Sequence, residues 1–134
     1  MRVRAAIAAA AAVAVLAGCG TGTADLLSID VTSEGIAARK DSIRVTDDGR
    51  GTCGGPLTAL PSQTVLDARG VKRAMRPLAR RGASFLKGGV NVRHYEFRSF
   101  DGVVRWDEGA AAPPAIGRAT LLALRLGRRL CRGG

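Results

Sequence analysis

Few side chains in this sequence could carry covalent or acid–base chemistry. The chain holds one histidine and three cysteines, and its adjacent acidic pairs are Asp47-Asp48 and Asp107-Glu108. A nucleophilic triad needs an imidazole beside a serine or cysteine, with a third group to orient it. His94 lies in a strand-like stretch whose expected cross-strand neighbours are charged or solvent-facing, so no such base is expected. Residues adjacent in sequence point apart in a strand or sit in turns. The acidic pairs therefore read as turn and strand-end solvation, not as a general acid with its base. Cys53-Gly54-Gly55-Pro56 lacks the lysine and the following helix start of a phosphate-binding loop. The sequence points away from an enzyme and calls for no cofactor.

Cys19 has the most informative surroundings. Met1-Arg2-Val3-Arg4 forms a positive n-region, and residues 5–16 are an uninterrupted apolar run followed by small residues, the layout of a secretory signal peptide. The run is shorter than the roughly 20 residues that cross about 30 Å of hydrocarbon. Leu16-Ala17-Gly18-Cys19 resembles the bacterial lipobox at all four positions. That resemblance implies a diacylglyceryl group on the Cys19 sulfur, cleavage after residue 18, a fatty acid such as palmitate, and residence on the extracytoplasmic face of a bacterial cell membrane. Two acyl chains anchor stably where one binds only marginally. The expected division is a signal peptide at 1–18, a lipidated cysteine and tether at 19–25, and a single domain at 26–134. Gly20-Thr21-Gly22-Thr23 is a flexible tether. At about 3.5 Å per residue it reaches only about 20 Å to residue 25, which keeps the domain near the bilayer.

Removal of residues 1–18 leaves a length suited to one domain with a modest core. The formal charge of +10 falls only by Arg2 and Arg4, and lysine appears only at 40, 72 and 87. An export signal removes such a basic chain from nucleic acid, so the anionic partners left are phospholipid head groups, wall polymers or an acidic protein surface. With Cys19 lipidated, Cys53 and Cys131 are an even pair in an oxidising compartment, which favours a disulfide over two buried thiols. One histidine and two bonded cysteines cannot supply the three or four ligands of a zinc site, so no metal is expected.

The elements follow from periodicity. Leu27, Ile29 and Val31 alternate with polar residues as a half-buried strand. Residues 32–41 then read as a loop tipped by Ile36, and Ile43 and Val45 as a second strand paired with the first. Residues 51–61 read as irregular. Over 67–81 the period becomes helical: Val71, Ala74, Met75 and Leu78 fall on one face, and Arg69, Lys72, Arg73, Arg76 and Arg80 on the other. Asp67 is expected to cap this helix, Gly82 to end it, and Pro77 to kink or split it. The arginine row is either a solvated face or an electrostatic contact with anionic lipid.

All five aromatic residues lie between Phe85 and Trp106, locating the core. Asp101-Gly102 signals a two-residue hairpin turn. It would set Phe97 opposite Trp106 and Ser99 opposite Val104, with Tyr95, Phe97, Val104 and Trp106 on one face and His94, Glu96, Arg98 and Arg105 on the other. Pro113-Pro114 leads into a last helix over 115–130 with a stripe of Ile116, Ala119, Ala123, Leu126 and Leu130, which returns Cys131 to Cys53. The fold expected is α+β: antiparallel strands with two helices on one sheet face, in the order ββαββα.

Tyr95-Glu96-Phe97, Asp101-Gly102, Val104-Arg105-Trp106-Asp107-Glu108-Gly109 and Pro113-Pro114 before a leucine-rich helix resemble the C-terminal half of emfourin-like proteins. A short strand, a loop with Gly35-Ile36 and Arg39, and a strand through Ile43 and Val45 are similar to their N-terminal half. Those proteins are small inhibitors of thermolysin-type metalloproteases. The resemblance implies a secreted metalloprotease as partner and a contact loop containing Glu34, Gly35, Ile36 and Arg39, with Ile36 as apolar anchor. Ser33-Glu34 departs from the glycine pair expected at that place, and the alternative is that Ile36 folds back onto the sheet. Without that resemblance, the expected partner is an unidentified envelope component or protein.

Overall fold

The computed structural model describes residues 24–35 and 38–131, so the signal segment, Cys19, the tether to Thr23 and Ile36 lie outside the described residues. The elements run β1 (Asp25–Ser33), β2 (Arg39–Thr46), β3 (Arg50–Thr52), β4 (Thr58–Ala59), α1 (Ser62–Arg80), β5 (Ser84–Phe85), β6 (Arg93–Ser99), β7 (Gly102–Asp107) and α2 (Pro114–Leu130). The class is α+β, but the strands exceed the four of ββαββα. Among the described residues they form one seven-stranded sheet of order β4-β3-β2-β1-β6-β7-β5. The additional strands β3, β4 and β5 hold two or three residues each, too few for an alternation to register in sequence. β5 pairs parallel with β7, and the other pairings are antiparallel.

Leu27, Ile29, Ile43, Val45, Tyr95, Phe97, Val104 and Trp106 are buried on the sheet face that the helices cover. The opposite face is polar, as a sheet covered on one side requires. There Ser42 Oγ donates to Asp30 Oδ1 at 2.5 Å, and Glu96 accepts ion pairs from both Arg98 and Arg105. A bulge between Asp25 and Leu27 interrupts the alternation, and Leu26 is buried as well as Leu27. Phe100 departs from the expected aromatic core, being 96% exposed at the tip of the β6–β7 hairpin.

That hairpin turns one step earlier than Asp101-Gly102 suggests. Ser99 pairs with Gly102, Phe97 with Val104 and Tyr95 with Trp106, so the turn residues are Phe100 and Asp101. The register differs by two residues, and a shift of two leaves every side chain on its expected face. Packing against α1 explains Gly102's place in the strand: its φ is 138°, and a Cβ there would overlap the Ala79 carbonyl oxygen. The β1–β2 connection is also tighter than expected. Pairing persists to Ser33 and Arg39, leaving 34–38 as the loop instead of 32–41.

α1 starts at Ser62 after Pro61, five residues before the expected cap, and Asp67 lies inside it, 3.3 Å from Arg125 of α2. Pro77 does not break the helix. It sits on the exposed side one turn from the end, where water can serve the Arg73 carbonyl that loses its partner. Gly82, with φ 60°, ends the helix as expected: Gly82 N–H donates to Ala79 O and Ala83 N–H to Leu78 O, a Schellman arrangement. α2 begins one residue before the expected boundary, with Pro114 at its first position. Cys131, just beyond α2, is disulfide-bonded to Cys53, which follows β3, with a Cα–Cα distance of 5.2 Å.

The helices divide the ends of the sheet between them. Val65 of α1 stands against Gly49 in the β2–β3 turn, and Ala79 stands against Gly102 beside the β6–β7 turn. Both turns lie at the end where β1 begins, because Asp25 pairs with Thr46 and Ser28 with Arg98. The last turn of α2 reaches the opposite end, where Arg39 donates from Nη2 to the Cys131 carbonyl at 3.2 Å.

Candidate functional site

The far end of the sheet, opposite the start of β1, carries two polar constellations. The first is a cleft of about 820 Å³ between the β1–β2 hairpin, the start of β6 and the last turns of α2. Its polar lining is Ser33, Arg39, Asp41, Arg93, Tyr95 and Arg128, and Val31, Ala123 and Leu124 supply the apolar part. Asp41 is the single carboxylate against three guanidiniums, and Arg39 Nε already holds it at 2.8 Å. Among the described residues Arg93 and Arg128 form no ion pair, so the cleft presents positive charge.

Tyr95 forms the floor. Its ring stacks on Trp106 with centroids 5.2 Å apart and planes within 2° of parallel. Trp106 in turn donates from Nε1 to Thr120 Oγ1 of α2 at 3.0 Å. The Tyr95 hydroxyl oxygen is buried and has no hydrogen-bond partner among the described residues. Burial pushes its pKa up, opposed by the Arg93 guanidinium, so the phenol stays neutral. This arrangement suits an anionic ligand group such as a carboxylate.

The second constellation lies on the polar face. Asp107 is only 4% exposed. Its Oδ2 accepts 2.8 Å bonds from the backbone N–H groups of Lys87 and Gly88, while Oδ1 lies 2.5 Å from His94 Nδ1. His94 Nε2 points toward Glu34, 3.9 Å away. Among the described residues no hydroxyl or thiol bonds to His94, so the pair lacks a nucleophile. Its evident work is to fasten the 86–92 loop across the end of β7. This corrects the expectation that His94 faces only solvent and exposed charges, and that Asp107 merely solvates a strand end. With Phe97 opposite Trp106, His94 would lie opposite Gly109; the actual register sets it opposite Asp107.

The titration of this pair predicts a bell in stability. The Gly88 N–H first, and then the His94 side chain, lower the Asp107 pKa from 3.8 to about 2. The hydrogen bond that His94 Nδ1–H donates to the Asp107 carboxylate raises the His94 pKa above 6.5. Stability from the lowered Asp107, about 2 kcal/mol, is present above pH 3.8 and lost as pH falls toward 2. Stability from the raised His94 is complete below pH 6.5 and lost as pH rises through its folded value. Urea unfolding between pH 2 and 9 is expected to show a maximum between about pH 4 and 6.5. The alkaline decline is expected to disappear in His94→Gln.

No protein-family model, curated protein or solved structure matches the chain. The site is therefore read from its own geometry.

Of the residues singled out in sequence, Cys53 and Cys131 are brought together as expected. Asp41 lies close to both sulfurs, but these are joined to each other and offer no thiolate to a metal. Glu34 and Gly35 open the 34–38 loop; Gly35 has φ 114°, and a Cβ there would overlap Asn91 of the 86–92 loop. Arg39 is engaged by Asp41 and the Cys131 carbonyl and braces the hairpin against α2. Arg69, Arg73, Arg76 and Arg80 are exposed on α1 at the other end of the molecule. Sequence reasoning missed Arg93 and Arg128 as residues that line one cleft with Tyr95, since it marked Tyr95 only as core and did not single out either arginine. No helix among the described residues is long and apolar enough to cross a membrane.

Proposed function

We propose that this chain is an exported lipoprotein, diacylated on Cys19 and held outside a bacterial cell membrane, whose domain is a non-catalytic binding module. The observation that supports it is the polarity of the domain. The chain enters at one end of the sheet, at Ala24, and the basic cleft and the 34–38 loop lie at the other. An anchor at the first end leaves the second facing outward, where Arg93 and Arg128 can receive an acidic group of an envelope partner. Neither nucleic acid nor a metal has a part in this reading. Bacteria fed labelled palmitate test it: wild type is expected to carry label and sediment with membranes, and Cys19→Ser to do neither. An unlabelled wild-type chain overturns the reading.

A second reading has its own support. β1 and β2 pair out to Ser33 and Arg39, which sets Glu34 and Gly35, the start of the emfourin-like contact loop for a thermolysin-type metalloprotease, at the end of the domain opposite Ala24. Titration of such a protease with the domain is expected to give inhibition that Ile36→Asp abolishes. Cleavage of the domain without inhibition overturns it.

A further inference from the structure

We infer that the end of the domain from which the tether leaves is itself a docking surface for anionic phospholipid. Arg69, Arg73, Arg76 and Arg80 contact the head groups there, and Phe100 enters the interface. The surface extends the anchored reading, on which its orientation rests, but it binds through different atoms.

The geometry begins at Ala24, whose carbonyl accepts the Asp47 N–H at 2.9 Å. The Asp47 carbonyl accepts Arg69 Nη2 at 3.2 Å, so the tether exit and the first arginine of the row share one turn. From there α1 runs along this end of the sheet for about 20 Å between Val65 and Ala79, at 1.5 Å per residue. It reaches the β6–β7 turn, where Asp101 Oδ2 and Oδ1 lie 3.4 and 3.6 Å from Arg76 Nε and Arg80 Nε. The helix side bearing Arg69, Arg76 and Arg80 is thus the side turned to the end of the sheet, away from the Asp67 side that meets α2.

Charge at this end is unbalanced. Asp25 and Asp48 are paired with Arg44 and Arg50, and the single Asp101 serves two guanidiniums. Among the described residues Arg69 and Arg73 form no ion pair, and the carboxylate of Asp47 is the remaining acid nearby. Phe100, 96% exposed, is the most exposed large apolar side chain among the described residues and projects from the turn that ends this row. An apolar tip beside a basic row matches a surface whose head groups are anionic and whose interior is apolar. Five residues from Cys19 to Ala24 span at most about 18 Å, so a lipid on Cys19 would bring this end, and no other, to the bilayer.

The test separates docking from anchoring by omitting the lipid. Every core residue lies within 26–126, so residues 20–134 can be made as an unlipidated domain. This domain is mixed with vesicles of equimolar phosphatidylglycerol and phosphatidylcholine, or of phosphatidylcholine alone, at low salt. It is expected to sediment with the anionic vesicles only and to be released by salt. Arg69→Ala/Arg73→Ala/Arg76→Ala is expected to weaken binding roughly fivefold per arginine, and Phe100→Ser several-fold, both with an unchanged fold by circular dichroism. The charge-matched Arg118→Ala/Arg125→Ala/Arg129→Ala, on the other helix, is expected to bind as wild type.

No sedimentation, an equal loss in the α2 variant, or retention only by a soluble polyglycerol-phosphate polymer overturns the inference. Palmitate labelling of the full chain reports on the anchor alone. A labelled chain whose domain ignores vesicles keeps the anchor and loses the docking face, and the converse result does the reverse.

Discussion

Replacing both cysteines, Cys53→Ala/Cys131→Ala, is expected to lower the unfolding free energy by about 4 kcal/mol and the thermal midpoint by roughly 15–20 °C. The bond spans a sequence separation of 78, so its opening returns a large closure entropy to the unfolded chain. The native state loses position as well. β3 is held by two residue pairs on each side, and the disulfide ties its end to the end of α2. The deficit should therefore concentrate at β3, β4 and the last turn of α2, where amide exchange should accelerate first. Thermal unfolding with and without a reductant is the check. A shift under about 1 kcal/mol would mean that packing alone holds these ends together.

Asp107→Ala is expected to cost about 3–5 kcal/mol, more than any surface carboxylate in the chain. Removing this side chain leaves the Lys87 and Gly88 N–H groups without an acceptor and His94 without its counter-charge. Asp107→Asn keeps one carbonyl acceptor and should cost less. His94→Gln should cost least, because His94 is partly exposed and water can replace it. A double-mutant cycle on Asp107 and His94, read by urea unfolding at pH 5.5 and again at pH 9, isolates the charged pair. A coupling that does not shrink at pH 9 would show that the imidazolium contributes nothing.

The layered plan was legible because burial writes itself as period. Alternation in β1, β2, β6 and β7 marked the inward residues, and the helical stripe of α2 was placed within one residue. What escaped was set by tertiary contact. β3, β4 and β5 exist because neighbouring strands offer them partners, and so few residues carry no period. The start of α1 is hidden because its first turn lacks a capping side chain and the next turn exposes Leu66. The hairpin turn was misplaced because a type of residue good for turns, Gly102, is needed instead where α1 presses on the strand. That slip kept the faces correct yet concealed the Asp107–His94 pair, since facing residues depend on register and faces do not. The basic cleft was illegible for a related reason: Arg39, Arg93 and Arg128 come from three elements, and only the fold makes them neighbours.

The two outermost strands, β4 and β5, are two residues long, so this sheet finishes in stubs. Beyond β3 the open run of β2 at 39–43 begins with Arg39, Lys40 and Asp41 and has the disulfide-bonded end of α2 beside it. A long bare edge would recruit the next copy as an added strand. On the β4 side a neighbour would find two residues to pair with, or a charged stretch. The same small strands that escape a reading of the sequence thus serve to keep each copy separate from the next.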